Sequence, residues 1–229
     1  MAISTDLWRV ELHCHTRASF DSLSRPEEIV RVCREKGIDR IAITDHNTMA
    51  GIAAVQALAP ELVIPAEEIK TAEGELIGWF MSEEIPRGLP LQETIARLRA
   101  QGAVIGVPHP LDSLRMGSAL GREALLKVID QVDALEVLNA RCLRAGDNDG
   151  ARAIAKTYGK LMTAGSDAHA AREIGTAVVL MPPFHDAESF RQSLASARIE
   201  GGRSRGHVRF YSTWAKIYKY VVGRAGHNS

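Results

Sequence analysis

Five of the chain's eight histidines, His13, His15, His46, His109 and His169, follow short apolar runs of the kind that form strands. Two carboxylates, Glu68 and Asp167, stand in the same position. His13 and His15 are two apart, and in extended backbone such residues point the same way, so both imidazoles can reach one ion. A lone His-x-His recurs by chance, and any one of these histidines alone reads as a structural residue. Five of them with two carboxylates on one rim are different. Without a cation they would leave like charges and unpaired acceptors facing one another, and a metal removes that problem. Nitrogen and oxygen donors with no thiolate cluster suit zinc, manganese or iron and disfavour a pure magnesium or calcium site. Glu68 and Asp167 can bridge ions, because a carboxylate has two oxygens to share. Two or three ions would then activate a water and neutralise a phosphoryl transition state.

The elements that must position these groups alternate along the chain. Strands are expected at 8–12, 40–44, 62–65, 75–80, 103–107, 135–138, 161–164 and 176–181. Helices are expected at 25–36, 52–58, 91–100, 123–129, 149–158 and 187–197. The first helix has Ser24 as N-cap, Pro26 with Glu27 and Glu28 in its first turn, and Gly37 as its stop. Roughly seven βα units imply an α/β fold with parallel strands, and their number in one short chain favours a small barrel. In such a fold the strand ends share one edge, the C-terminal rim, where active sites lie.

The expected organisation is a barrel over 1–200 and a linker with a basic, aromatic helix over 201–229. Gly201 to Gly206 reads as the linker. Trp214, Ile217, Tyr218 and Val221 follow a 3–4 spacing, as expected of a helix packed on the barrel or on a partner subunit; a nucleic-acid or membrane contact is the alternative. Lysine plus arginine equals aspartate plus glutamate, 28 each, which argues against a strong overall basic field for gripping nucleic acid. Apolar residues at 45% allow a sizeable core. Cys14, Cys33 and Cys142 have no disulfide-framework spacing, so reduced thiols and a cytoplasmic location are expected. Residues 1–6 lack the pattern of a signal peptide, and no apolar run approaches the roughly 20 residues that span a bilayer.

At these residues the sequence resembles the polymerase and histidinol phosphatase (PHP) family of metal-dependent phosphoesterases. His13-Cys14-His15-Thr16, Ile43-Thr44-Asp45-His46, Ala66-Glu67-Glu68-Ile69, Pro108-His109-Pro110 and Ser166-Asp167-Ala168-His169 match its motifs in order. The resemblance covers Val10 to Met181 and implies a distorted (β/α)7 TIM-like barrel of the PHP type with a di- or trinuclear centre. By it, His13, His15, Glu68 and Asp167 hold one metal. Glu68 and His109 hold a second, with Asn139, or Cys142 in its place, near the position of a further ligand. Asp21, His46 and His169 hold a third. Small relatives grip a nucleotide with an inserted domain ahead of the His-Pro motif. Here a strand and a helix already occupy the stretch between Glu68 and His109.

The expected function is hydrolysis of a phosphate ester, a phosphomonoester or the end of a nucleotide or oligonucleotide, by a metal-bridging hydroxide. Asp167 or His169 would manage the proton. Arg17, Arg141 and Arg172, on rim loops, are candidates for the substrate phosphate. Asp45 is expected to orient His46 or a neighbouring ligand, and Glu67 to be a supporting or surface carboxylate. The partner is a small-molecule phosphate ester or a nucleic-acid end, with no membrane. Two other readings stand beside this one: C–N hydrolysis on the same kind of barrel, and a non-catalytic metal-binding interaction module. No Ser-His-Asp or Cys-His arrangement and no glycine-rich phosphate loop presents itself.

Overall fold

A computed structural model describes residues 7–204 and 209–225. Nine strands form one sheet: β1 (Trp8–Cys14), β2 (Arg40–Ile43), β3 (Val63–Lys70), β4 (Glu75–Trp79), β5 (Val104–Val107), β6 (Ala134–Asn139), β7 (Leu161–Gly165), β8 (Ala177–Met181) and β9 (Arg198–Gly201). The helices are α1 (Pro26–Lys36), α2 (Ile52–Gln56), α3 (Leu91–Ala100), α4 (Gly121–Val128), α5 (Ala145–Thr157), α6 (Ala187–Ala195) and α7 (Arg209–Ala225). Strand order is β7-β6-β5-β4-β3-β2-β1-β8-β9, curled into a nearly closed barrel.

The seam is drawn together between β7 and β1. Beyond β7, Ala168 pairs with the end of β1, His15 N donating to Ala168 O at 2.9 Å and Ala168 N to His13 O at 3.2 Å. Gly165 permits this approach, since a Cβ there would stand 2.3 Å from His13 Cβ. The buried Glu11 carboxylate completes the seam by accepting from Ser166 N and Gly175 N, both at 2.9 Å, and from His13 N at 3.2 Å. Inside the barrel Trp79 spans the interior. Its Nε1 donates to Leu12 O at 3.2 Å, and its ring occupies the space a side chain at Gly106 would need.

The strands are not all parallel, which corrects the expectation. β4 runs antiparallel to β3 and β5, and β8 antiparallel to β1 and β9. Between β3 and β4 the chain turns over Thr71 to Gly74, closed by Thr71 N to Gly74 O at 2.8 Å. So short a connection makes a hairpin, because a parallel crossover needs about a dozen residues or more. The third strand also runs on through Lys70, well past the expected Pro65.

Helix α1 starts at Pro26, with Arg25 rather than Ser24 at the N-cap. The Glu28 carboxylate reaches back to accept from Arg25 N at 3.2 Å, and Gly37 ends the helix at φ 62°. Proline suits the first helical position, where the missing N–H has no partner to lose, and this sets the cap one residue later than expected. The expected linker begins inside β9, which includes Gly201. Its last residues, 205 and 206, and His207 lie outside the described residues. Among the described residues no helix is long and apolar enough to cross a membrane.

Candidate metal centre

The elements bring all seven expected residues to one buried point. His13 lies one residue before the end of β1 and His15 follows the strand, both fully buried. His46, after β2, bridges to Glu68, which lies within β3 rather than after it. His109 follows β5 and Asp167 follows β7, with φ of 29° and 52°. Non-glycine residues rarely adopt this left-handed backbone, and it gathers at functional sites where the surroundings hold it.

Four donor atoms face one another. His13 Nε2 lies 3.3 Å from Glu68 Oε2 and 3.8 Å from Asp167 Oδ1; His15 Nε2 lies 3.4 Å and 3.5 Å from the same two oxygens. All four are buried without a hydrogen-bond partner. Glu68 Oε1 lies 3.0 Å from His109 Nε2, which is 3.7 Å from Glu75 Oε2. Glu68 Oε2 is also 3.1 Å from His46 Nδ1. Asp21 Oδ2 lies 3.6 Å from His46 Nε2 and 3.3 Å from His169 Nε2, which places Asp21 beside the cluster. Triads within it, such as His15, His46 and His169, or Glu68, Glu75 and His109, have ligand atoms close enough to hold an ion.

Three of the histidine rings are held in place through Nδ1. Nδ1 of His13 faces Glu136 Oε1 at 3.0 Å, and Nδ1 of His169 faces the Asp167 carbonyl at 2.8 Å; both partners are pure acceptors. Ser19 Oγ donates its one proton to Asp45 Oδ1, so His15 Nδ1, 3.1 Å away, must donate to Ser19. In all three rings Nδ1 therefore carries a proton, and Nε2 is the nitrogen turned to the cluster. Asp45 thus acts through Ser19, which also accepts from His46 N at 2.9 Å.

The electrostatics differ from ring to ring. Burial opposes the protonated form of His13, but Glu68, Asp167 and Glu136 outweigh it and raise its pKa well above the ordinary value. Burial pushes His15 down to about 3, helped by His169 and His46. Burial likewise opposes the charge on Glu68 and Asp167. Facing cations reverse it, holding both well below the carboxylate range: chiefly His13 for Glu68, and Arg115 and His13 for Asp167. Ionised oxygens and imidazole nitrogens at these spacings fit nitrogen- and oxygen-liganded divalent ions, which would displace the proton held on His13.

The remaining expected residues fall differently. Asn139 is buried against Asp167 with both ends of its amide engaged: Nδ2 donates to Glu136 Oε2 at 2.9 Å and Asp167 Oδ2 at 3.2 Å, and Oδ1 accepts from Arg141 N at 2.8 Å. It is placed to hold Asp167 rather than to offer a donor. The Cys142 thiol lies 3.5 Å from Asp112, and burial raises its pKa far above the ordinary range. Glu67 faces away from Glu68, as alternation along a strand requires, and accepts from Ile85 N at 3.0 Å.

A cavity of about 470 Å³ opens over the cluster, lined by Asp21, His46, His169 and three cations, Arg115, Arg141 and Lys216. Of the arginines expected to meet a phosphate, Arg141 alone lines it. Arg17 is exposed elsewhere on its loop, and Arg172 stacks on Tyr211 at 3.6 Å beside a neighbouring cavity. Arg115, absent from the expectations, pairs with Asp167 Oδ2 and, through Nε, with Asp112 Oδ2 at 3.0 Å. Glu75 and Glu136 were also missed. Glu75 begins its strand, and because β4 is antiparallel, a strand start lies on the rim. A charged residue inside the apolar run of β6 was the available signal for Glu136.

Residues 11–80 match the PHP domain family model, and residues 145–199 match the PHP-associated model. An uncharacterized protein of Methanocaldococcus jannaschii is 38% identical over 176 residues, covering 75% of this chain and 69% of that protein. Among solved structures, a two-domain protein from Bacteroides vulgatus containing a predicted PHP-like metal-dependent phosphoesterase superposes with a TM-score of 0.71. It is 17% identical and the match covers 91% of this chain and 70% of that one. A lesion-specific endonuclease from Pyrococcus furiosus superposes with a TM-score of 0.60, at 15% identity over 84% of this chain and 57% of that one. The two structural likenesses are likenesses of fold.

Proposed function

Because the chain belongs to the PHP domain family, we propose that it is a metal-dependent phosphoesterase acting on a phosphate ester. The observation that carries this reading is the convergence of His13 Nε2, His15 Nε2, Glu68 Oε2 and Asp167 Oδ1, four buried donor atoms without hydrogen-bond partners. These four residues would hold one ion. Glu68, His109 and Glu75 would hold a second, and Asp21, His46 and His169 a third. Zinc, manganese or iron would supply an activated water and neutralise the charge that develops on phosphorus-bound oxygens.

The chain's own groups complete the chemistry. Arg115 and Arg141 line the cavity from different loops and would grip phosphoryl oxygens, a task suited to the guanidinium fork. Asp167 is fixed through Oδ2 by Arg115 and Asn139, which would leave Oδ1 turned to the ion. Glu136 holds the His13 ring and, through Oε2, the backbone N–H of His109 at 2.7 Å. Phe20 is half exposed beside His46, with ring centroids 5.1 Å apart. It offers a face on which a base could stack, which supports a nucleic-acid end as the group bearing the ester.

The test is metal analysis of the purified chain, followed by assay with manganese or zinc against an aryl phosphomonoester, an aryl phosphodiester and an end-phosphorylated oligonucleotide. Turnover of any of these, lost in His13→Ala and Glu68→Gln, is expected. Hydrolysis of cyclic amides alone would replace this reading with C–N hydrolysis. Full metal with no turnover of any ester would leave a metal-binding module.

A further inference from the structure

Helix α7 lies beyond the residues matched by the family models, which end at 199, yet it forms one wall of the cavity over the metal cluster. Ser212, Thr213 and Lys216 line that cavity. The helix is mounted with its polar side inward. Lys216 Nζ stands 3.6 Å from Asp21 Oδ2, and Lys219 Nζ donates to Arg17 O at 2.7 Å and also to Ser19 O. Arg141 donates to Ser212 Oγ at 3.0 Å. The large apolar residues Trp214, Ile217 and Val221 are more than half exposed instead. A helix that only covers a core turns its apolar stripe inward. This one presents lysines to the rim.

Resting on the phosphoesterase reading, we propose that Lys216 is a substrate contact: it binds the phosphoryl charge and makes the site select doubly charged monoesters over singly charged diesters. The ammonium is half exposed, 5.0 Å from the centre of the Phe20 ring, and its carboxylate partner belongs to the cluster itself. Arg115 is placed alike on another wall, paired with Asp167. Once Asp21 and Asp167 engage metal ions, their pull on these two cations weakens, and an anion in the cavity becomes the better partner. With Arg141, these two cations gather positive charge from separate walls onto one phosphoryl group, which favours two negative charges over one. Lys219 differs, since its partners are backbone carbonyls and it does not line the cavity.

The test compares Lys216→Met, Lys216→Arg and Lys219→Met in the metal-loaded chain at about pH 8, where phosphomonoesters are dianions. Metal content is measured for each variant. The readouts are KM and kcat on p-nitrophenyl phosphate and bis(p-nitrophenyl) phosphate, and the Kd of inorganic phosphate by calorimetry. Lys216→Met should raise the monoester KM and the phosphate Kd about tenfold, with kcat and the diester KM nearly unchanged. Lys216→Arg should recover most of the loss. Lys219→Met, which unties the helix without removing the cavity cation, should leave the preference intact. Equal effects of Lys216→Met and Lys219→Met on both esters would reduce Lys216 to a tether and overturn the proposal. An unchanged phosphate Kd in Lys216→Met would overturn it as well. If the metal-loaded parent turns over neither ester nor an end-phosphorylated oligonucleotide, the phosphoesterase reading fails by itself, and the phosphate Kd still decides the role of Lys216.

Discussion

Asn139 Nδ2 donates to Asp167 Oδ2 at 3.2 Å, and Arg115 pairs with the same oxygen, so Asp167 presents only Oδ1 to His13, His15 and His169. One carboxylate is thereby divided between holding and donating. A freely turning carboxylate would spread its donor positions over an arc; this one is held at a fixed point before any ion arrives. Asn139→Ala should therefore keep the fold but weaken metal binding or activity by about 10–100-fold, the range for groups that orient a ligand. Asn139→Asp should be worse, because it sets a third carboxylate beside Glu136 and Asp167. Chelator competition and kcat/KM measure both, and an unaltered metal affinity in Asn139→Ala would mean that Arg115 suffices.

Glu68 should be the least replaceable residue of the centre. Its two oxygens face His13, His15, His46 and His109. Glu68→Gln should lower the number of bound ions as well as activity, and the activity loss should exceed about 100-fold, beyond that of supporting residues. Elemental analysis beside a phosphatase assay checks this. Loss of activity with the full ion count would assign Glu68 a different role.

Metal uptake should expel protons. Burial disfavours a charged His46, but Glu68 and Asp21 overcome it and raise its pKa from 6.5 to about 9. The metal-free fold binds this proton more tightly than the unfolded chain does. Its stabilising contribution is full below 6.5 and is lost as pH rises through about 9. Metal competes for the same nitrogens, so its apparent affinity should climb over that window. Thermal melts of chelator-treated protein should fall with rising pH, while the metal-induced gain in Tm grows. A metal-induced gain that is flat across the window would count against His46 as a ligand.

Glu67 should be a stability residue only. Burial pushes its carboxyl up to about 8, against the hydrogen bond from Ile85, and Oε1 has no partner. The folded state holds the proton more tightly than the unfolded one, so stability from this group falls as pH rises from 4.5 through about 8. Glu67→Gln should flatten that slope and raise Tm on the alkaline side with kcat/KM unchanged. A large activity loss would tie Glu67 to the centre.

Gly165→Ala should strike the seam of the barrel. Its Cβ would meet His13 Cβ at 2.3 Å and Glu136 Oε1 at 2.6 Å. Overpacking of this kind costs about 1–3 kcal/mol, and here it would displace a metal-facing histidine and its holder together. Denaturant unfolding and metal titration should both register the change. A change in neither would show that β1 and β7 can part at no cost.

The sequence by itself determined the donors. His13, His15, His46, Glu68, His109, Asp167 and His169 were legible because each lies at or near the end of an apolar run, and the strands of an α/β sheet deliver such residues to a common rim. Asp21 was legible only through the resemblance. Helix boundaries were readable where proline and glycine punctuate them, as at Pro26 and Gly37.

Tertiary structure decided what surrounds the donors. Glu75 reached the rim because the Thr71–Gly74 hairpin reverses β4, and strand direction is a property of pairing rather than of local pattern. Glu136, Ser19 and Arg115 act through partners distant in sequence, so their roles had no local signature. Asn139 stood at the right spacing for a ligand, but its amide became engaged once Glu136 and Asp167 met around it. Helix α7 was expected from its 3–4 periodicity, yet that pattern pointed its aromatic stripe inward. Only the fold showed that lysines face the site instead, because what a helix presents depends on the charges waiting beneath it, here Asp21 and the carbonyls of Arg17 and Ser19.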